Sequence, residues 1–341
     1  MKKAVYYKKL RKDIIQCTLC PWNCIIKKGD VGHCGTRINY EGVLHSLVYG
    51  EPTGFQADPI EKKPLFHFHP GMKVLSFGTQ GCNFNCKYCC NYFFSQTKPP
   101  KTTNMRVTPQ EIVNKALTMN CEGIAYTYNE PSIFFEYAFD TARIAHNKGL
   151  LNVFVTNGCI NKAPLKDINH YLDAAVIDFK GFNDDFYKKY VGAKLDWVKK
   201  GVKYYSDLRA HKEITNLVVP GLNDDPKEIR QLARFIIDTL GDETPLHLLK
   251  FFPLYEMEDV PQTPVNVLEQ CYSIARDEGL KYVYLGNIDT DKENTYCPDC
   301  GELLINRSTM RTISSRLKNG CCPKCNEKIN IKGIINHSCF G

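Results

Sequence analysis

GCNFNCKYCCNYFFSQ, residues 81 to 96, decides the fold. It follows the apolar run KVLSFGTQG (73 to 81), so a strand delivers it, and the two together read as a strand ending in a ligand-bearing loop. Cys82, Cys86 and Cys89 are separated by three and then two residues. That spacing lets one short loop wrap three thiolates around the faces of a 4Fe-4S cube and leaves the fourth iron without a protein ligand. Zinc is the competing reading. A structural zinc site closes its shell with four ligands, however, and Cys90, immediately after Cys89, is badly placed to be the fourth.

An iron left open in this way can chelate the amino and carboxylate groups of S-adenosylmethionine (SAM). An electron from the reduced cluster then breaks the sulfonium bond to C5′ and frees a 5′-deoxyadenosyl radical. Tyr88 offers an aromatic face beside the adenine. In these residues the sequence resembles the radical SAM superfamily, whose signature is a CxxxCxxC loop with an aromatic residue before its last cysteine.

The totals bound what else the chain can be. At 341 residues it can bury a proper core and form two or three units. A hydrophobic fraction of 43% and a charged fraction of 24% are those of an ordinary water-soluble protein. Seventeen cysteines are the anomaly. The opening MKKAVYYKKLRK has basic residues but no following apolar stretch, so a secreted disulfide framework does not fit; a reducing cytoplasm and metal ligation do. No run reaches the roughly 18 apolar residues of a membrane span. The net charge is +7, with basic residues scattered among acidic ones as in FNDDFYKKY, which reads as a solvated surface rather than a nucleic-acid footprint.

Residues 1 to 70 read as a cysteine-rich leader without a clear helical or strand period, apart from the alternation in GVLHSLVYG. Cys17, Cys20, Cys24 and Cys34, separated by Pro21 and several glycines, give four soft ligands for one metal site. A zinc ion and a second iron–sulfur cluster both use four thiolates, and spacing does not separate them. Buried, reduced cysteines without metal are the third reading. His67 and His69, in DPIEKKPLFHFHPG, read as packing or hydrogen-bonding residues. The succession CTLCPWNC, GHCGTR, LVYG, DPIEKKPLFHFHPG and the cysteine loop resembles the radical SAM member of the AmmeMemoRadiSam system, often described as similar to pyruvate formate-lyase activating enzyme. The resemblance runs from about residue 15 to residue 290. It departs at Cys90-Asn91, where that family's loop continues Gln-Asn; Cys90 reads as a spectator packed under the loop, the alternative being a thiol lent to the cluster or the active site.

From 71 to 290, seven β-rich runs begin at 73, 123, 152, 174, 213, 245 and 281, and helical patterns lie between them at 108 to 119, 131 to 148, 162 to 172, 226 to 239 and 264 to 278. Repeated strand and helix units with nearly continuous apolar strands make a parallel sheet covered by helices. The expected fold class is therefore α/β, a partial (β/α)6 barrel of the radical SAM kind, with the leader before it and a metal ribbon after it. In such barrels the site lies at the C-terminal ends of the strands. The second run ends at Glu130, where the resemblance implies a contact to the SAM ammonium, although Tyr128 and Asn129 replace the family's glycines and a helix cap is the competing role. The third ends at Asn157, suited to the methionyl or ribose part, or simply to shaping the turn with Gly158. The fourth ends in Asp178 and Lys180, which point the same way on one strand and resemble the Asp-x-Lys of pyruvate formate-lyase activases; a structural ion pair competes with a role at the SAM carboxylate. The fifth, Val219 to Asn223, resembles the family's adenine-side loop.

The tail, 291 to 341, holds two CPxC knuckles, Cys297 with Cys300 and Cys322 with Cys325. Two such knuckles make a closed tetrahedral site, read as a zinc ribbon with a rubredoxin-like iron as the rival. Cys321 and Cys339 are left over. The chain thus reads as an oxygen-sensitive, cytoplasmic radical SAM enzyme supplied by an electron donor such as ferredoxin or flavodoxin. By resemblance, one substrate class is the glycine of a glycyl-radical enzyme. The alternatives are modification of another protein, an RNA or a small metabolite, with Arg307, Arg311, Arg316 and Lys318 as the hint of an RNA face, and, in a different class, a non-catalytic iron–sulfur electron-transfer scaffold.

Overall fold

Each apolar run becomes a strand of one sheet. The computed structural model describes residues 1–11, 13–99 and 106–333, and its centre is an eight-stranded sheet. At one edge β1 (Thr53–Pro59) runs antiparallel to β2 (Lys73–Gly78). Then follow, in chain order and parallel, β3 (Gly123–Tyr126), β4 (Leu151–Thr156), β5 (Ala174–Asp178), β6 (His211–Val218), β7 (Leu246–Lys250) and β8 (Val283–Gly286). The crossovers carry α1 (Pro109–Thr118), α2 (Phe135–Asn147), α3 (Lys162–Ile168), α4 (Leu195–Ser206), α5 (Pro226–Leu240) and α6 (Val265–Asp277).

Local chemistry sets the helix starts. Pro109 and Pro226 occupy first turns, where a missing N–H leaves no bond unmade. Thr108 and Glu111 close a capping box, and the Asp225 carboxylate accepts from the amides of Lys227 and Glu228. α4 lies in the gap between two of the expected helices; it buries Leu195, Val198, Val202 and Tyr205 at helical spacing, a stripe overlooked beside its conspicuous lysines.

Successive strand residues face opposite ways. Leu75, Phe77, Ile124, Phe154, Ile177 and Ile214 fill the layer shared with the helices. Val74, Ala125, Val153, Ala174 and Val176 face the other way, where they pack against Ile60, Leu65, Phe68 and Met72. The turn-rich segment 58–71 therefore plugs the inner face near the N-terminal ends of the strands. Glu213, at the start of β6, anchors the plug: its carboxylate accepts from the amides of Phe66 (3.0 Å) and His67 (2.7 Å) and from Nε2 of His211 (2.9 Å) and His247 (2.7 Å). Desolvation opposes the charge, but the two imidazoles hold Glu213 far below the ordinary carboxylate range. His67 is a hydrogen-bonding core residue, with Nε2 on the Tyr284 hydroxyl and Nδ1 on the Asn330 carbonyl; burial lowers its pKa to about 3, so the ring is neutral.

The leader is more ordered than its sequence suggests. Lys2–Lys3, Arg37–Tyr40 and Val43–Ser46 form one antiparallel three-stranded sheet, and Tyr7–Arg11, Ile14–Cys17 and Ile25–Ile26 form another. Strands of two to five residues broken by turns leave too little alternation to read. A buried bidentate pair, Arg37 to Glu136 at 2.9 and 2.8 Å, fixes the leader to α2, and Glu136 also accepts from the Val5 amide.

The tail forms a third three-stranded sheet, Thr295–Tyr296, Leu303–Arg307 and Thr312–Ser315, packed on the plug. Arg307 belongs to this contact and not to an exposed basic face. It is 3% exposed, lies over the Phe66 ring and donates to the carbonyls of Phe66 and Glu293. Arg316 pairs with Glu302. Cys339 lies outside the described residues. Among the described residues no helix is long and apolar enough to cross a membrane.

Candidate functional site

The loop that follows β2 is held in place from several sides. Its root is closed by Asn129, whose side chain donates to the Gly81 carbonyl (2.7 Å) and Thr79 hydroxyl (3.1 Å) and accepts from the Thr79 amide (3.2 Å). Gly78 has no room for a side chain, because a Cβ would run into the Thr127 carbonyl. Gly81, at φ +85°, approaches the leader so closely that a Cβ would stand 2.6 Å from the Cys34 carbonyl oxygen. Asn83 ties three partners together. Its Oδ1 accepts from the Asn157 amide group (2.8 Å), its Nδ2 donates to the Cys159 carbonyl (3.0 Å), and its own carbonyl accepts from the Trp22 indole (2.8 Å). The far side is fixed by the Asn85 and Lys87 amides, which donate to the carbonyls of Val191 and Tyr190.

Cys82, Cys86 and Cys89 line one wall of a cavity of about 310 Å³ at the C-terminal edge of the sheet. The Phe84 amide donates to the Cys82 sulfur (3.5 Å), and the Cys89 sulfur lies 3.1 Å from the Ser95 hydroxyl. Burial pushes Cys86 up to about 12 and Cys82 well above the thiol range, so both stay protonated until a cation compensates. Cys90 is not packed under the loop; it is an exposed residue on the rim of the cavity.

Glu130, Asn157, Asp178, Lys180 and Tyr88 line the same cavity. Glu130 is buried and already well bonded: its carboxylate accepts from the amides of Ser132 (3.0 Å) and Asn157 (2.7 Å) and from the Thr156 hydroxyl (3.0 and 2.9 Å), so it both caps the turn Pro131–Phe134 and pins the end of β4. Asn157 has its amide group on Asn83, and its Oδ1 accepts from the Cys159 amide (2.9 Å). Lys180 donates to Asp178 at 2.8 Å, while Thr215 donates to the other oxygen of Asp178. Burial disfavours the Lys180 charge, yet Asp178 keeps the pKa well above the ordinary lysine value, so a fixed cation faces the cavity. The Tyr88 hydroxyl is buried and, among the described residues, has no hydrogen-bond partner. Val219 to Asn223 do not line the cavity. Asn223 instead locks its own turn by accepting from the Val219 amide (2.6 Å) and donating to the Lys180 carbonyl (2.7 Å).

This donor set suits a cluster better than a single ion. Among the described residues only Cys297, Cys300, Cys322 and Cys325 bring their sulfurs within 4.8 Å of one another, whereas four thiolates on one tetrahedral zinc lie about 3.8 Å apart. Cys82, Cys86 and Cys89 are spread more widely, as three thiolates serving three irons of a cube must be. A fixed cation beside an acid, an unpartnered phenol and a row of amide-bearing strand ends are what a zwitterionic ligand with a polar purine would meet.

Sequence reasoning missed Asn83, Asn129, Trp22 and Cys159. Only Asn129 gave a signal, as the residue in a glycine's place directly before Glu130; the rest act through partners distant in sequence.

The family description "Radical SAM superfamily" matches residues 77–236. The chain is similar to the uncharacterized protein MJ0808 of Methanocaldococcus jannaschii, at 45% identity over 334 residues, 97% of this chain and 99% of the relative. It is similar to the pyruvate formate-lyase-activating enzyme of Staphylococcus epidermidis, at 23% identity over 233 residues, 62% of this chain and 91% of the relative. Among solved structures, a domain of pyruvate-formate lyase-activating enzyme from Bacteroides vulgatus aligns with a TM-score of 0.43 at 18% identity, covering 48% of this chain and 99% of that one.

Proposed function

The chain belongs to the radical SAM superfamily, and from that premise we propose that the cavity at Cys82, Cys86 and Cys89 is the reacting centre of a hydrogen-abstracting enzyme. When bound, a 4Fe-4S cluster and SAM supply reductive cleavage of the sulfonium and hence a 5′-deoxyadenosyl radical. The chain's own groups do the rest. The three cysteines ligate the cluster. Asp178 would hold Lys180 charged toward the SAM carboxylate, Asn157 would offer its second amide hydrogen to the ribose side, and Tyr88 would cover the adenine, while Glu130, its carboxylate already filled by Ser132, Thr156 and Asn157, would act by fixing the strand end. Leu217, Leu249 and Phe251 keep the opposite wall apolar, which restricts water around a radical. The observation that carries the reading is the convergence of the three thiols and the Asp178–Lys180 pair in one cavity.

As to substrate, similarity to pyruvate formate-lyase activating enzymes supports the glycine of a glycyl-radical enzyme, with a ferredoxin or flavodoxin as electron donor. Modification of another protein, an RNA or a metabolite is the second reading. It is favoured by the leader and the tail, which add a large amount of structure to the shared core. The tail contributes no residue to the cavity: its four cysteines suit a structural zinc, and it packs on the plug near the other ends of the strands.

The test is anaerobic. After reconstitution with iron and sulfide, dithionite and SAM should yield 5′-deoxyadenosine from the wild type and none from C86A. K180M should retain the cluster and bind SAM at least tenfold more weakly. A formed cluster whose EPR signal ignores SAM, with no deoxyadenosine, would sink the enzyme reading and leave the electron-transfer scaffold.

A further inference from the structure

The leader cysteines form a second thiol centre that nothing in the cavity uses. Cys17, Cys20, Cys24 and Cys34 are drawn together by the small sheet of Ile14–Cys17 and Ile25–Ile26 and the turns around it, with the Cys17 amide on the Cys24 carbonyl (2.9 Å) and the His33 amide on the Cys24 sulfur (3.4 Å). The four thiols are close enough to act on one another electrostatically. Yet no three of them come within 4.8 Å, the distance that the tail cysteines satisfy. They are thus more widely spaced than one tetrahedral ion requires and resemble in that respect the loop of Cys82.

A second, independent feature points to an anionic group. Arg37 is 1% exposed, and its charge bears on the thiols of Cys17, Cys20 and Cys34. Glu136 and the Val5 carbonyl occupy its two terminal nitrogens, but Nε is buried without a partner. The Arg37 charge itself is matched by Glu136, so what is left over here is the Nε–H donor, and the sulfur of a cluster held by four thiolates accepts such a donor.

The centre also touches the catalytic loop. Gly81, next to Cys82, packs so tightly on the Cys34 carbonyl that no side chain fits between them, and Asn83 adjoins Cys82. Trp22, two residues after Cys20, donates to the Asn83 carbonyl.

We propose that Cys17, Cys20, Cys24 and Cys34 hold a second iron–sulfur cluster, packed through Trp22 on Asn83 and Cys34 on Gly81 against the loop of Cys82, where a low-potential protein carrier delivers its electron. The carrier is oxidised by one electron and the leader centre reduced by one, with no bond made or broken. Its role in electron delivery rests on the proposed function of the Cys82 loop; the ligation does not.

The test uses the full chain, reconstituted anaerobically, with iron, acid-labile sulfide and zinc measured per chain and EPR recorded after dithionite. The wild type should carry two cubes' worth of iron and sulfide. C20A/C24A should lose half of both and keep the EPR signal that SAM perturbs. C82A/C86A/C89A should lose the other half together with that SAM-sensitive signal. Mössbauer spectroscopy of iron-enriched wild type counts the cubes directly, should the leader variant fail to fold. The proposal is overturned if the wild type takes up one cube only, if C20A/C24A keeps all its iron and sulfide, or if what it loses is zinc. A triple variant that keeps a SAM-sensitive cluster would refute the reading of the Cys82 loop instead, while the leader count still stood on its own.

Discussion

Glu213→Gln tests how the plug is held. Each carboxylate oxygen accepts two bonds: one takes the His67 amide and His211, the other the Phe66 amide and His247. A glutamine keeps one oxygen and turns an N–H toward the other pair of donors. An imidazole can answer by presenting its bare nitrogen; a backbone amide cannot turn. One buried amide then loses its acceptor, at about 1–3 kcal/mol, and the remaining bonds lose their charge assistance, at about 1 kcal/mol each. With three bonds remaining, the expected loss is about 4–6 kcal/mol, a large share of the 5–15 kcal/mol that typically holds a domain together. Urea denaturation of E213Q against wild type, followed by intrinsic fluorescence, measures it. The pH dependence gives a second reading with a definite sign. Because the folded state depresses the Glu213 pKa, its contribution is fully present above the unfolded carboxylate value of about 4.3 and is lost as pH falls below it. E213Q should therefore flatten the acid limb of the stability curve. A loss under about 1 kcal/mol with an unchanged acid limb would refute the assignment of Glu213 as the anchor.

Three other outcomes are expected. R37M leaves Glu136 charged and unpaired in a buried site, which should cost about 3–5 kcal/mol and make residues 1–50 the first target of limited proteolysis. G201A should destabilise by at least about 1–3 kcal/mol, because a Cβ on α4 would overlap the Gly158 carbonyl; since Gly158 follows Asn157, SAM affinity measured by calorimetry should fall as well. A strong chelator that strips the Cys297, Cys300, Cys322 and Cys325 site should open residues 295–329 to protease while the cluster absorbance of the Cys82 loop survives, and mass spectrometry of the fragments checks both.

The parallel sheet was legible because its strands are nearly continuous apolar runs bounded by turn residues, and the helices α1, α2, α5 and α6 because their apolar stripes have the right period. What was not legible follows from the same physics. The leader strands are too short to show a period, and β1 is a half-exposed edge strand with one buried residue, ending at Pro59 in the turn-rich DPIEKKPLFHFHPG. The cavity was readable as a list of strand-end residues, since a parallel sheet puts its strand ends on one edge. The bonds that organise it were not. Nothing local distinguishes Asn83, which joins residues 61 and 74 positions away, from any surface asparagine. Arg307 misled for a related reason: beside Arg311, Arg316 and Lys318 in a polar tail it reads as exposed, and only its contact with Phe66, 241 positions earlier, buries it.

The plug carries a consequence for how the chain matures. Its contacts with the tail join residues 241 to 263 positions apart, and loops that long are slow to close. During synthesis the sheet can assemble once β8 has emerged, but Phe66, His67 and Tyr284 stay bare until residues 293–330 have left the ribosome and closed over them. A tail slow to close would therefore be felt first as a sticky nascent chain, captured by chaperones or aggregated, while the residues at the opposite edge were already in place.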